Sequence, residues 1–298
     1  MRTKRTLDVI VAGEANADLI LTEVPPLELD KEKMAQGMDL ILGGSSSITA
    51  FNLSRLGAKV GFVGIVGDDF LGRFCAERLR WAGVDVEHLR RVRGLRTGIT
   101  IWITRGARRE GATYAGTIEM LKATDVPSDY LARARHLHVG CYFLQTKLQP
   151  GVPALFRRAR KLGLTTSLDC NWDPAEQWDS GIRAALKETD IFFPNEDEAL
   201  RLSGYPDARS AAAELGKLAR IVVVKRGAEG ALVHSPEGTF ETPAVKVKVV
   251  ETTGAGDSFN AGFLTRFVQG APLAECARAG AKAGARAVTK IGGTAAFE

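Results

Sequence analysis

The chain has 298 residues, 45% apolar and 25% charged, the make-up of an ordinary globular protein with material for a large core. Its 40 basic and 35 acidic residues leave a net charge of +5, too even a balance to imply a nucleic-acid partner. The apolar run at residues 7–12 is broken by Asp8 and too short for a secretion signal, and no stretch nears the ~18 apolar residues of a membrane span.

In chain order, residues 7–13 read as a buried strand, followed by polar Glu14, Asn16 and Asp18. Residues 22–42 are irregular and carry Pro25 and Pro26. Gly43 and Gly44 then lead through serines into a helix ending near Leu56, with Gly57 as its stop. A strand at 60–66 precedes Asp68, read as the N-cap of a helix to Trp81. Arg90, Arg91, Arg93 and Arg96 read as a solvated loop. Residues 97–105 alternate apolar with polar, the mark of a strand with one wet face. Short strands at 137–140, 165–169, 190–193 and 221–225 then alternate with helices at 151–162, 181–188, 195–203 and 208–219. That rhythm predicts βαβ units and a parallel sheet. A hairpin-like stretch over 230–250, ending in the alternating run 245–250, interrupts it, and helices at 257–269 and 273–289 close the chain.

The fold class expected is α/β: a doubly wound, mostly parallel sheet flanked by helices, whose ligands bind at the carboxyl ends of the strands. Residues 14–42 and 92–116 break the rhythm and predict a small β-sheet lid inserted in a single domain spanning 1–298. Cys75, Cys141, Cys170 and Cys276 form no C-x-x-C pair, so neither a zinc knuckle nor a disulfide framework is expected, and a reducing cytoplasm fits. His136 and His138 share one face of a strand, where packing is the expected role.

The informative segment is Glu251-Thr-Thr-Gly-Ala-Gly-Asp-Ser-Phe-Asn-Ala-Gly262. A strand, a glycine-rich turn and a helix N-terminus make an anion site, because first-turn amides point outward unpaired and the helix dipole is positive there. The amides of Ala255, Gly256 and Asp257 are placed to cradle a phosphoryl group, and Asp257 to accept a proton from an attacking hydroxyl. Gly-Ala-Gly-Asp by itself would equally suit a plain turn with Asp257 as an N-cap. The usual phosphate loop is missing: Gly216-Lys217 is followed by Leu218 rather than Ser or Thr, and no G-x-G-x-x-G occurs.

Residues 252–262 resemble the C-terminal signature of the ribokinase-like (PfkB) carbohydrate kinases, and further motifs follow in that family's order across nearly the whole chain. The resemblance implies an ATP- and Mg2+-dependent transfer to a hydroxyl of a small sugar, with Asp257 as the base and Gly254, Ala255 and Gly256 as the anion hole. It assigns Asn16, Asp18, Gly43, Gly44 and Asn171 to the sugar, and Asn195, Lys225, Gly227 and Gly230 to ATP. Glu198, in Asn195-x-x-Glu198, would act on magnesium indirectly. Glu251, Thr253 and Gly292 match a region that holds K+ in several members. A β-sheet lid, through which homologues often dimerise, is implied as well. No nucleic-acid or membrane partner is expected.

Several positions depart from the pattern. Ile48 stands where a sugar-binding Asn is usual, and Asp173 where fructokinase-like members carry Arg, which argues against an anionic acceptor. Glu251 replaces Asp, Ala296 replaces a polar residue, and the sequence stops soon after, at Glu298. Two alternatives stay open: a nucleoside kinase using Ile48 and Phe143 as an apolar surface, and a sugar- or nucleotide-binding protein without catalysis.

Overall fold

The computed structural model describes residues 5–106 and 108–298; residues 1–4 and 107, which belong to the expected single domain and its lid, lie outside the described residues. The strands are β1 Val9–Ala12, β2 Asn16–Thr22, β3 Gly37–Gly43, β4 Val60–Gly67, β5 Asp85–Val92, β6 Ile99–Arg105, β7 Arg108–Tyr114, β8 His136–Val139, β9 Thr165–Leu168, β10 Ile191–Phe192, β11 Ile221–Lys225, β12 Ala231–Ser235 and β13 Gly238–Thr242. The helices are α1 Ser45–Arg55, α2 Phe70–Trp81, α3 Ser128–Leu131, α4 Val152–Lys161, α5 Ile182–Leu186, α6 Glu196–Ser203, α7 Ala208–Leu215, α8 Ala255–Phe267 and α9 Leu273–Ala287.

Nine strands form the main sheet in the order β13-β12-β11-β10-β9-β8-β1-β4-β5. Pairings from β11 to β5 are parallel, and only the β11–β12–β13 end is antiparallel. Strand β1 explains why: Val9 and Val11 enter one apolar cluster while Ile10 and Ala12 enter the other. Side chains alternate across a strand, so both faces are covered, and the strand reads as an unbroken apolar run. Helices α1, α2, α8 and α9 cover one face, and α3 to α7 the other. The chain builds outward from β1 to β4 and β5, then crosses back to β8 on the other side. The crevice at the carboxyl ends of β1 and β8 is the switch point where ligands bind in such sheets.

The lid is a four-stranded sheet in the order β3-β2-β6-β7, built from the segments that broke the βαβ rhythm. Three local expectations are corrected. Arg90 and Arg91 lie in β5, not in a loop; β5 is the edge of the main sheet, where charged side chains face solvent. Residues 245–250 form no strand, because β13 is the last in its sheet, and Val245, Val247, Val249 and Val250 are exposed. Asp69, not Asp68, caps α2, accepting from the Gly72 amide at 2.8 Å. His136 and His138 are buried and share Ser167 between β8 and β9 at 2.7 and 2.8 Å, the expected packing role.

Candidate active site

The carboxyl ends of the central strands gather the charged groups. Asp169 follows β9, Asn195 follows β10, and Lys225 ends β11. Lys225 Nζ donates to Asp169 Oδ2 at 2.6 Å, with side chains only 12% and 5% exposed, and Asn260 Nδ2 donates to the same oxygen at 2.6 Å. Burial would raise the Asp169 pKa, but Lys225 overrides it and the carboxylate is held below its usual range. Burial would likewise lower the Lys225 pKa, and the charges of Asp169 and Glu198 raise it instead. Asn195 caps α6 in a reciprocal box: its Oδ1 accepts from the Glu198 amide at 2.9 Å, while its Nδ2 and N–H donate to the Glu198 carboxylate at 2.7 and 2.8 Å. Burial first, then the Asp169 charge, pushes the Glu198 pKa up to about 7.

Beside this cluster starts α8. Gly254 is its N-cap with φ 71°, a left-handed conformation that glycine adopts without strain; a Cβ there would lie 2.5 Å from Gly293 Cα. Ala255 N–H is already spent on the Thr252 carbonyl at 3.3 Å, and Ser258 N–H on Gly254 O at 2.8 Å. That leaves Gly256 and Asp257 as the first-turn amides without a partner among the described residues. A Cβ on Gly256 would sit 3.3 Å from Lys225 Nζ, so the lysine ammonium lies beside the first turn of α8. Of the expected trio of amides, that of Ala255 is engaged within the turn.

Asp257 lies in this same turn. Ser45 Oγ, at the start of α1, donates to its Oδ1 at 2.5 Å, and Oδ2 has no hydrogen bond among the described residues. Burial and the Asp169 charge push the Asp257 pKa up to about 7, against the opposing Ser45 hydrogen bond and Lys225. A carboxylate with that value is matched to proton abstraction near neutral pH.

The opposite wall comes from β2 and the turn between β3 and α1. Asn16 Nδ2 donates to Asp18 Oδ1 at 3.2 Å. A Cβ on Gly43 would lie 2.1 Å from Asp18 Oδ1, and one on Gly44 2.5 Å from Asn16 Oδ1, so the two glycines are what let these side chains lie flat against the turn. Burial pushes the Asp18 pKa up to about 7. Asn171, with φ 56°, donates its N–H to Asp169 Oδ1 at 3.0 Å and its Nδ2 to Cys141 Sγ at 3.3 Å. Glu14 is buried, taking the Ser46 amide and hydroxyl at 3.0 and 2.6 Å. Glu251, Thr253 and Gly292 are tied together: Glu251 Oε1 accepts from Thr253 N–H at 2.6 Å, and Oε2 from Gly292 N–H at 3.1 Å. Gly227 and Gly230 are more remote, in the turn between β11 and β12; Gly230 is needed because a Cβ there would lie 2.0 Å from Thr242 O.

The departures from the family pattern look different in three dimensions. Ile48 is buried beneath the turn into α8, where Gly254 and Gly293 pack against it. Phe143 is buried edge-on between Tyr142 and Trp178. Neither offers the open apolar surface expected for a base. Asp173 faces inward, accepting the amides of Ala175, Gln177 and Trp178 at 3.0, 2.9 and 2.7 Å. It organises its own loop, so it carries no argument against an anionic acceptor. Sequence reasoning singles out neither Ser45, Asn260 nor Arg109 as site residues. Asn260 had a faint signal, one turn after Asp257 in the motif; Ser45 and Arg109 had none, being brought in from 212 and 142 residues away.

Comparison with known proteins identifies the family of the chain. The chain is 31% identical over 265 residues to the ATP-dependent ribose-1-phosphate kinase of Halopiger xanaduensis, covering 87% of this chain and 84% of that protein. It is 29% identical to the cytidine kinase of Thermococcus kodakarensis, covering 96% and 98%. Among solved structures, it superposes on the PfkB protein of Polaromonas sp. JS666 with a TM-score of 0.84 at 27% identity, covering 98% and 99%. The family model described as pfkB family carbohydrate kinase matches residues 6–298. The chain belongs to the pfkB family of carbohydrate kinases, and it is an ATP-dependent sugar kinase.

Proposed function

We propose that Asp257 is the general base and the head of α8 the anion hole of this kinase. The carrying observation is the convergence of the free Gly256 and Asp257 amides, Lys225 and a Ser45-anchored carboxylate with a pKa of about 7. Asp257 Oδ2 takes the proton of the acceptor hydroxyl as its oxygen bonds to the γ-phosphorus. The bond between that phosphorus and the β–γ bridging oxygen breaks, and ADP leaves with the electron pair. Charge spread over the transferring group meets the two amides, the helix dipole and Lys225. Asn16, Asp18, Gly43, Gly44 and Asn171 hold the acceptor; Asn195, Gly227 and Gly230 lie on the ATP side.

Magnesium fits as an ion carried by the nucleotide. Among the described residues no three His, Cys, Asp or Glu side chains form a metal cage, which suits an ion that keeps waters and binds phosphates. Glu198, already holding Asn195, would act through such waters. When bound, the ion neutralises charge on the β- and γ-phosphates.

The acceptor is a sugar, a sugar phosphate or a nucleoside. The first two are favoured here, because Ile48 and Phe143 are spent in packing and Asp173 is turned away. ATP turnover with magnesium across these three classes, wild type against Asp257→Asn, tests the assignment. Turnover that depends on one class and drops at least ~100-fold in the variant is the expected result; equal turnover in the variant would remove Asp257 as base.

Two further parts of the reading are proposals of the same standing. The four cysteines are buried and unpaired, which supports a cytoplasmic setting. The lid exposes Met38 on β3, and the segment between β2 and β3 exposes Leu27, Leu29 and Met34, which supports a homodimer through the lid; light scattering showing a monomer at working concentration would exclude it.

A further inference from the structure

We infer that Arg109, on lid strand β7, is a positioning residue: its guanidinium supplies the fixed positive charge beside the anion-hole turn that a monovalent cation would otherwise provide, and so couples lid closure to that turn. This rests on the kinase reading above.

Arg109 Nη1 donates to Glu251 Oε1 at 3.1 Å and to Thr253 Oγ1 at 2.6 Å. Thr253 in turn donates its hydroxyl to Glu251 Oε1 at 2.5 Å, and Gly292 N–H donates to Oε2 at 3.1 Å. Both carboxylate oxygens and the threonine hydroxyl are therefore engaged. A potassium ion using these side chains would have to displace the guanidinium and would meet its like charge at close range. With Arg109 docked, the Glu251 and Thr253 side chains do not fit such an ion.

The contact is built from both sides. Arg109 stacks on Trp102 of the neighbouring lid strand, with its guanidinium carbon 4.6 Å from the ring centroid, so the cation is pre-oriented on the lid. Glu251, its partner, is only 14% exposed. Thr253 directly precedes Gly254, whose left-handed conformation turns the chain into α8 and frees the amides of Gly256 and Asp257. Pinning Thr253 therefore pins the turn that aims those amides. All of β7 is exposed, Arg109 itself at 40%, and this side chain carries the hydrogen bonds from β7 to the turn. Opening the lid must break two charge-assisted hydrogen bonds, and closing it sets the turn.

The test compares wild type, Arg109→Lys and Arg109→Ala, with KCl exchanged for tetramethylammonium chloride at equal ionic strength. In wild type, kcat should change less than ~2-fold on exchange and Tm should not respond to potassium specifically. Arg109→Ala should lose ~10-fold or more in kcat with a smaller change in acceptor KM, and Arg109→Lys should fall between, keeping charge without the planar fork. Hydrogen exchange at Ala255 and Ser258, the bonded amides of the turn, should speed up in Arg109→Ala. A potassium-specific rise in wild-type Tm and kcat, or an Arg109→Ala enzyme with wild-type kcat and unchanged exchange, would overturn the inference. Wild type that turns over no acceptor at all would count against the kinase reading, while the Tm and exchange measurements still decide the role of Arg109.

Discussion

The carboxyl edge of the main sheet and the lid face the same site but are made differently. At the sheet edge, Asp169, Lys225, Glu198 and Asp257 are packed among apolar strands and held by hydrogen bonds of 2.5–2.9 Å. Lid strand β7 is exposed along its length, and the ion pair within the lid hairpin is wet, with Arg105 and Glu110 30% and 68% exposed. Buried charges with fixed partners do not reorganise, which suits stabilising charge that develops in a transition state. Half-exposed contacts open and close cheaply, which suits admitting a substrate. On the proposed reading, the molecule places its chemistry on the rigid half and its access on the soft half.

Substitutions at the two halves should separate accordingly. Gly256→Val should cost the most: its side chain crowds Lys225 Nζ, 3.3 Å from the position of a Cβ, and blocks a free amide, so kcat should fall by ~100-fold or more with the fold retained by circular dichroism. Lys225→Met leaves Asp169 buried without its counter-charge; denaturant unfolding should show a loss of about 3–5 kcal/mol, and an unchanged midpoint would mean that the edge is less rigid than described. Asp173→Ala strands three loop amides and should cost about 1–3 kcal/mol while leaving kcat near wild type; a large kcat loss would put Asp173 in the site after all. Arg105→Ala, on the lid, should move stability by less than ~1 kcal/mol, and a larger loss would mean that the lid is not the soft half.

The same contrast sets what could be read from the sequence. Strands β1, β4 and β11 are apolar on both faces, so their runs announce themselves whatever surrounds them. Strand β5 has charges because it is an edge, and residues 245–250 alternate without a neighbouring strand, so both readings turned on sheet position, which no local pattern carries. In the proposed site, Gly254 to Asp257 are contiguous in one turn, so the motif was legible in the sequence. Ser45, Lys225 beside Gly256, and Arg109 act through contacts made only when distant segments meet. Asp173 and Ile48 show the converse: their positions in the motifs were clear, but which way their side chains face was not.

The pH dependence of Asp257 bears on the central claim most directly. Its folded-state pKa is raised to about 7, so the base is ionised above that value and becomes protonated below it. Stability runs the other way. Between the ordinary carboxylate value and about 7 the native state binds the extra proton, so this group's contribution to stability falls as pH rises through that window. Asp257→Asn should then unfold no earlier than wild type at pH 8 while turning over far more slowly. The measurement to make is kcat/KM for the acceptor against pH. The account predicts a plateau above pH ~7 and a fall approaching tenfold per unit below it, absent from the residual activity of Asp257→Asn. A wild-type profile that stays flat down to pH ~5 would contradict Asp257 as a base held at that pKa.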